Sequence, residues 1–356
     1  MKDTAKQKEY AFLIGVTFRN NKSYEEDLKE LKRLAETAGL EVVGQDGQYI
    51  REVTPATLLG SGKLEEIKRE IEELKANVVI VDYELSGSQA SNISALLGVK
   101  VIDRMALILD IFAQRATSNE GMLQVELAQL KYTLPRLNQI QGTSGRFGSA
   151  GVGMRGPGET KLEMDRRAIR LKIQKLEKEI EKIKNQRELK RQKRSTSGKK
   201  KVAIVGYTNS GKSTLLNAIS KAGIYADDKL FATLETTSRN VWLGDDKQVI
   251  LTDTVGFINK LPHMLVDAFA STLEEALDAD LILHVVDISN PAYREQIEVV
   301  NQTLKQIGAE NISEIIAYNK CDKIHEEIVL KENEIYISAK TGKNLENLKE
   351  LIKKYI

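Results

Sequence analysis

The stretch Gly206-Tyr-Thr-Asn-Ser-Gly211-Lys212-Ser213 decides how the rest of this chain is read. It follows Lys201-Val-Ala-Ile-Val205, a short apolar run with the character of a buried strand, and precedes Thr214-Leu-Leu-Asn-Ala-Ile-Ser220, which reads as a helix. Strand, G-x-x-x-x-G-K-S and helix, in that order, make the context of a phosphate-binding loop. Its glycines let backbone N–H groups turn inward around an anion, and the helix N-terminus adds partial positive charge. In such a loop Tyr207, Thr208, Asn209 and Ser210 surround the phosphates, Lys212 reaches the outer ones, and the Ser213 hydroxyl ligates Mg²⁺.

The totals narrow the setting. A chain of 356 residues holds two or three domains, each able to bury its own core. The net charge of +2 identifies no partner, so local charge matters more. One cysteine, Cys321, excludes a disulfide framework and suits a reducing compartment. The N-terminus, Met1-Lys-Asp-Thr-Ala-Lys-Gln-Lys, carries no signal-peptide core, and no run approaches the roughly 20 apolar residues of a membrane span. A soluble, cytoplasmic protein without a transmembrane segment is expected.

Residues 10–117 alternate strand-like and helix-like stretches. Tyr10 to Phe18 is a β-type run; a helix with Leu28, Leu31, Leu34, Ala35 and Ala38 on one face follows and stops at Gly39. A second helix carries Leu64, Ile67, Ile71 and Leu74, and Val78-Val-Ile-Val81 reads as a buried strand. Ser91–Leu97 is helical in pattern, Val99–Ile102 a short strand, and Met105–Ala113 another helix. The alternation predicts a small open sheet covered by helices, an N-terminal α/β domain over residues 1–117. Within it, Gly60-Ser-Gly62-Lys63 imitates the end of a phosphate loop, but Thr57 stands where the leading glycine belongs and Leu64 replaces the metal-binding hydroxyl. It is read as a turn and helix cap.

Residues 118–195 differ in kind. Leu123, Leu127, Leu130, Leu134 and Leu137 repeat at spacing 4-3-4-3, as do Ile169, Ile173, Leu176, Ile180 and Ile183. Two such narrow seams joined by one loop predict an antiparallel helical hairpin, with dimerisation through one seam as the alternative. Pro135 predicts a kink or an early stop in the first seam. Between the seams, Gly142–Gly158 holds seven glycines and two arginines and no acid, an exposed basic probe suited to RNA. Lys184–Lys201 then holds nine Lys/Arg against the single Glu188, a second RNA-facing stripe. Ser195-Thr-Ser-Gly198 marks the boundary to a third domain, 196–356.

Four further signals follow the phosphate loop in the order and spacing of a GTPase. Val249–Thr252 is a strand ending in Asp253-Thr254-Val255-Gly256; Asp253 would hold Mg²⁺ through a water and the Gly256 N–H would touch the γ-phosphate. Ile315–Tyr318 ends in Asn319-Lys320-Cys321-Asp322. The Asp322 carboxylate can accept two hydrogen bonds from the ring N–H and exocyclic amine of guanine, a donor pair adenine lacks, which selects GTP and GDP over adenine nucleotides. Ser338-Ala339-Lys340 offers a backbone N–H to the guanine O6. Between phosphate loop and Asp253, the segment with Phe231, Ala232, Thr233, Leu234, Glu235, Thr236 and Thr237 should order with GTP as a switch, its three threonines all candidates to complete the Mg²⁺ shell. Phe257 follows Gly256 where many GTPases place a water-orienting glutamine, so hydrolysis should be slow alone and stimulated by a partner. Asn209 is a candidate ligand for K⁺ set against the phosphates.

These motifs together resemble the Obg–HflX branch of translational GTPases in the TRAFAC class. The string Gly151-Val-Gly-Met-Arg155-Gly-Pro-Gly-Glu159-Thr-Lys-Leu-Glu163-Met-Asp165-Arg166-Arg167 narrows the resemblance to the HflX family, and it covers essentially the whole chain. The resemblance implies an α/β fold: a P-loop G domain with a doubly wound, mostly parallel sheet, preceded by a small α/β domain and a helical hairpin. It implies GTP hydrolysis and association with the large ribosomal subunit and its rRNA, in ribosome splitting, rescue or biogenesis. By motif position it puts the switch threonine on Thr233. The family's leading glycine pair reads Ala150-Gly151 here, and a chain ending at Ile356 is expected to lack the additional C-terminal domain of some relatives, which makes splitting less secure. A monomer is expected. The alternatives are a GTP-controlled RNA- or ribosome-binding module without splitting activity, and an RNA-remodelling ATPase using the N-terminal domain.

Overall fold

The structure is a computed structural model that describes residues 8–18, 24–137, 157–195, 199–220, 230–231, 236–244, 247–260, 276–324 and 329–356. Most of the Gly142–Gly158 loop, and Ala232, Thr233, Leu234 and Glu235, lie outside the described residues. The chain divides into two compact units, Met1–Gln114 with Val125–Lys178, and Arg115–Gln124 with Glu179–Ile356.

The first unit is built on β1 (Tyr10–Phe18), β2 (Glu41–Ile50), β3 (Val78–Val81) and β4 (Lys100–Asp103). They form one sheet in the order β2-β1-β3-β4, parallel throughout. The connections are helices α1 (Tyr24–Thr37), α2 (Ser61–Leu74) and α3 (Gly87–Leu97), with α4 (Arg104–Arg115) after the last strand. Leu64, Ile67 and Ile71 of α2 are buried against Phe12, Ile14, Val79 and Val81, so the periodicity of the sequence is the packing face. Gly60 caps α2, and Lys63 is tied to Asp46 at 2.5 Å and to Glu66 at 3.3 Å, which makes Gly60–Lys63 a turn and cap.

Strand β2 was not expected. Its sequence, EVVGQDGQYI, is interrupted by two glycines, and its residues are only half-buried at the sheet edge. The glycines are there for space: a Cβ on Gly44 would lie 2.5 Å from Leu74 Cδ1, and one on Gly47 2.5 Å from Tyr24 Cδ2.

Beyond α4, α5 spans Asn119–Thr133 and yields to a 3₁₀ turn over Leu134–Arg136, the early stop that Pro135 predicts. Helix α6 runs from Pro157 to Ser195, so much of the Lys184–Lys201 stripe is helical. Lys131 pairs with Glu177 and Lys172 with Glu126, joining the two helices. On α5 the buried face is wider than the expected seam, since Gln124, Val125 and Ala128 are buried beside Leu127.

The second unit holds β5 (Lys200–Val205), β6 (Thr237–Gly244), β7 (Lys247–Asp253), β8 (Leu281–Asp287), β9 (Glu314–Asn319) and β10 (Glu334–Tyr336) in the order β10-β9-β8-β5-β7-β6. All pairs are parallel except the β6–β7 hairpin. Helices α7 (Lys212–Ser220) and α9 (Leu345–Tyr355) bury Leu215, Leu216, Leu348 and Ile352 on one face of this sheet, where Val202, Ile204, Leu251 and Leu283 meet them. On the other, Val300 and Leu304 of α8 (Tyr293–Gln306) pack with Ala203, Val205, Ile282 and Phe257. With helices on both faces and parallel strands, the carboxyl ends of β5, β7, β8 and β9 converge on one edge.

Candidate functional site

Each of those strand ends delivers a polar residue. The loop after β5 turns at Gly206, with φ 151°, and at Gly211, with φ 96°. Neither position tolerates a side chain: a Cβ on Gly206 would lie 2.2 Å from the Val285 carbonyl oxygen, and one on Gly211 2.2 Å from Asn319 Nδ2. Asn209 also adopts the left-handed region, at φ 59°. Lys212 opens α7 and folds back over the loop, donating to the carbonyls of Gly206 at 3.1 Å and Tyr207 at 2.8 Å. It is only 6% exposed, and burial pulls its ammonium down to about 8, partly offset by Asp253. Among the described residues, the buried hydroxyls of Thr208 and Ser210 have no hydrogen-bond partner, as expected of groups that meet a ligand's oxygens.

The β7 end brings Asp253 to the first turn of α7, where its Oδ2 accepts from the Ser213 hydroxyl at 2.7 Å. This pair supplies only oxygen, the donor set of a hard divalent cation, so the residues fit Mg²⁺. Next, the Thr254 hydroxyl and N–H both donate to the Ile204 carbonyl, at 2.8 and 3.3 Å, and Val255 is buried, so these two hold the strand end against β5. Gly256 lies against the phosphate loop: a Cβ there would stand 2.9 Å from Thr208 Cα and 3.0 Å from Lys212 Nζ.

Phe257 does something sequence reasoning did not anticipate. Its ring is 2% exposed and belongs to the core under α8. Its backbone holds the phosphate loop, with its N–H donating to Gly206 at 3.1 Å and its carbonyl accepting from Thr208 at 2.7 Å. Tyr207 braces the same junction, its hydroxyl accepting from the Asn259 N–H at 2.7 Å. Phe231 is buried with φ 53°, at the edge of the switch segment.

From β9, Asn319 and Lys320 clamp the phosphate loop from the other side. Asn319 Nδ2 donates to the Ser210 carbonyl at 2.8 Å, and Lys320 Nζ donates to the Asn209 carbonyl at 2.8 Å. Asn319 Oδ1 accepts from Ala339 N–H at 2.9 Å, so that amide is committed to Asn319 here rather than free for a base. Cys321 is buried, its N–H donating to Ile337 at 3.2 Å. Asp322 and Lys340 are exposed at the rim. A hydrogen bond from Ser338 holds the Asp322 carboxyl below the usual carboxylate range.

Asp287, at the end of β8, is a site residue that the motifs did not flag. Its Oδ2 accepts from Lys320 at 2.7 Å while its Oδ1 accepts from the Ser289 N–H at 3.1 Å and hydroxyl at 2.6 Å. The available signal was its place: an aspartate ending an apolar strand, as Asp253 ends β7.

Three family models match in succession: GTP-binding GTPase N-terminal over residues 25–113, GTP-binding GTPase middle region over 115–194, and 50S ribosome-binding GTPase over 201–320. The GTPase HflX of Caldanaerobacter subterraneus subsp. tengcongensis is 52% identical, with 99% of this chain and 82% of that protein covered. That of Escherichia coli K12 is 42% identical over 96% of this chain and 81% of its own. Among solved structures, a GTP-binding protein from the hyperthermophilic archaeon Sulfolobus solfataricus in complex with GDP is 26% identical with a TM-score of 0.51, covering 98% of both chains.

Proposed function

The chain belongs to the HflX family of GTPases, binds guanine nucleotide and hydrolyses GTP, and from that premise we propose that its nucleotide state governs attachment to the large ribosomal subunit. The observation that carries this is positional. The region matching a 50S ribosome-binding GTPase holds its nucleotide motifs at one sheet edge, and the basic run Lys184–Lys201 leads directly into its first strand.

In this reading Lys212 neutralises the outer phosphates, the Gly256 N–H meets the γ-phosphate, and Asp322 selects guanine. Ser213, Thr233 and Asp253 would hold Mg²⁺, which when bound would screen the charge developing on the phosphate oxygens. Asn209 is the proposed K⁺ ligand; equal hydrolysis rates in K⁺ and Na⁺ buffers, with and without ribosomal subunits, would remove that role. With the Phe257 ring sequestered in the core, no side chain at that position orients the attacking water, and hydrolysis depends on stimulation by the ribosome. Residues 1–117, 118–195 and 196–356 act as base, RNA-probing arm and switch. The loop Gly142–Gly158 and the stripe Lys184–Lys201 contact rRNA, in splitting, rescue or biogenesis in the cytoplasm, with the protein acting as a monomer.

Only a difference in affinity between GTP and GDP forms can drive such a cycle. Co-sedimentation with purified large subunits in a non-hydrolysable GTP analogue, GDP and no nucleotide tests it. Binding should be strongest with the analogue and lost on deleting Gly142–Gly158. Equal pelleting in all three states would contradict nucleotide control, and equal pelleting by the deletion would remove the loop from the interface.

A further inference from the structure

The sequence contains a single tryptophan, Trp242, and it is 62% exposed on β6, the edge strand of the GTPase sheet. Its neighbours in the strand, Val241 and Leu243, point into the core, so alternation directs Trp242 and Asn240 to the opposite face. Trp242 stands directly across the hairpin from Gln248, and Asn240 across from Ile250. On that face Lys199 reaches over from the chain entering β5, its ammonium donating to Asn240 Oδ1 at 3.4 Å and to Gln248 Oε1 at 3.1 Å. A large exposed ring, two carboxamides and an ammonium are thereby gathered on one open ribbon. None of them takes part in the nucleotide site.

We propose that this face, Trp242 with Lys199, Asn240 and Gln248, is a docking surface for single-stranded RNA, with a base stacked on the Trp242 ring. The proposal rests on the ribosome-binding reading and extends it. The choice of RNA follows from chemistry and from continuity. Stacking on an aromatic ring beside a cation is the common mode of single-strand recognition, and carboxamides hydrogen-bond base edges. Lys199, which holds Asn240 and Gln248 on this face, belongs in sequence to the basic run Lys184–Lys201, so the face carries a cation of that run.

Because Trp242 is the chain's only tryptophan, its emission reports this surface alone. Titration of the full chain with a short unstructured oligoribonucleotide should quench that emission saturably, while heparin, a polyanion without bases, should not. Trp242→Ala should weaken binding of the labelled oligonucleotide roughly 5- to 150-fold, the range of one lost base–aromatic stack. Trp242→Phe should recover part of the loss, and neither change should alter GTP hydrolysis by the free protein. Unchanged emission on RNA binding, or equal RNA affinity in Trp242→Ala, overturns the proposal. So does quenching by intact large subunits with none by protein-free rRNA or the oligonucleotide, which would assign the face to a ribosomal protein. Failure here and failure of the underlying reading separate cleanly. Trp242→Ala co-sedimenting with large subunits like the unaltered protein sinks only the Trp242 surface, whereas an unaltered protein that does not co-sediment sinks the reading itself.

Discussion

Removal of the Asp287 carboxylate should loosen the grip on nucleotide without dismantling the domain. Lys320 holds the Asn209 carbonyl of the phosphate loop, and Asp287 holds Lys320. Lys320 and Asn209 both sit in the left-handed region, at φ 63° and 59°, where a non-glycine residue costs about 1–2 kcal/mol and persists only if contacts enforce it. The pair is neither buried nor free: its side chains are 21% and 16% exposed. Breaking a fully buried ion pair costs about 3–5 kcal/mol, and an exposed one contributes about 0–1 kcal/mol. The intermediate exposure places Asp287→Ala at roughly 1–3 kcal/mol, or roughly 5- to 150-fold in affinity. The assay is dissociation of a fluorescent GDP analogue at fixed Mg²⁺, with thermal unfolding recorded alongside. Dissociation should accelerate by that factor, and a double-mutant cycle with Lys320→Ala should show coupling above about 0.5 kcal/mol. An unchanged dissociation rate, or strict additivity in the cycle, would refute the reasoning.

Other consequences follow from the same geometry. Lys212 in the free protein is pulled down to about 8 by burial, whereas phosphates favour its charged form. GDP binding should therefore take up a proton above pH 8 and weaken as pH rises toward 9, by up to about tenfold per unit, a slope that Lys212→Gln should abolish in calorimetric titrations. The sign for stability is the reverse: a lysine whose folded value is depressed makes the nucleotide-free protein gain stability as pH rises from 8 toward 10.5. In Gly211→Ala the new Cβ meets the Asn319 side chain that holds Ser210 and Ala339, so nucleotide affinity should fall at least tenfold in the same dissociation assay. In the N-terminal unit, Arg104 is buried between Asp82 and Glu30, with Asp82 2.7 Å away. Arg104→Ala removes the cation between these two carboxylates and should cost about 3–5 kcal/mol in denaturant unfolding of that unit.

The candidate nucleotide site was legible in the sequence to the extent that its proposed chemistry demands particular residues. A phosphate cradle needs Gly206 and Gly211 because no Cβ fits, and guanine selection needs a carboxylate such as Asp322; such demands leave motifs. Residues that work through others leave none: Asp287 reaches the phosphate loop through Lys320, a partner at no fixed spacing in the sequence. Phe257 illustrates a half-reading. Its identity shows that no glutamine is present, but only the fold shows the ring filling a core position while its backbone carries the phosphate loop. In the fold, the helices and central strands followed from periodicity because burial on one or both faces enforces it. Edge strand β2 was missed because an edge is only half-buried, and two glycines made for close packing dilute its β character. Along the expected seam of α6 only Leu176 is buried, with Ile169, Ile173, Ile180 and Ile183 half-buried, whereas α5 buries a broader face because the small Ala128 and the flanking Val125 pack as well.

The central claim, that nucleotide bound between Lys212 and Asp322 governs attachment to the large ribosomal subunit, is tested most directly by changing which base the site accepts. Asparagine at position 322 offers one acceptor and one donor, matching the ring N–H and the 2-carbonyl of xanthine instead of the two donors of guanine. Large-subunit co-sedimentation of Asp322→Asn should therefore respond to a non-hydrolysable xanthosine triphosphate analogue and ignore the guanosine one, with the unaltered protein behaving the opposite way. Binding by the variant that still follows the guanosine analogue, or follows neither nucleotide, would contradict the account.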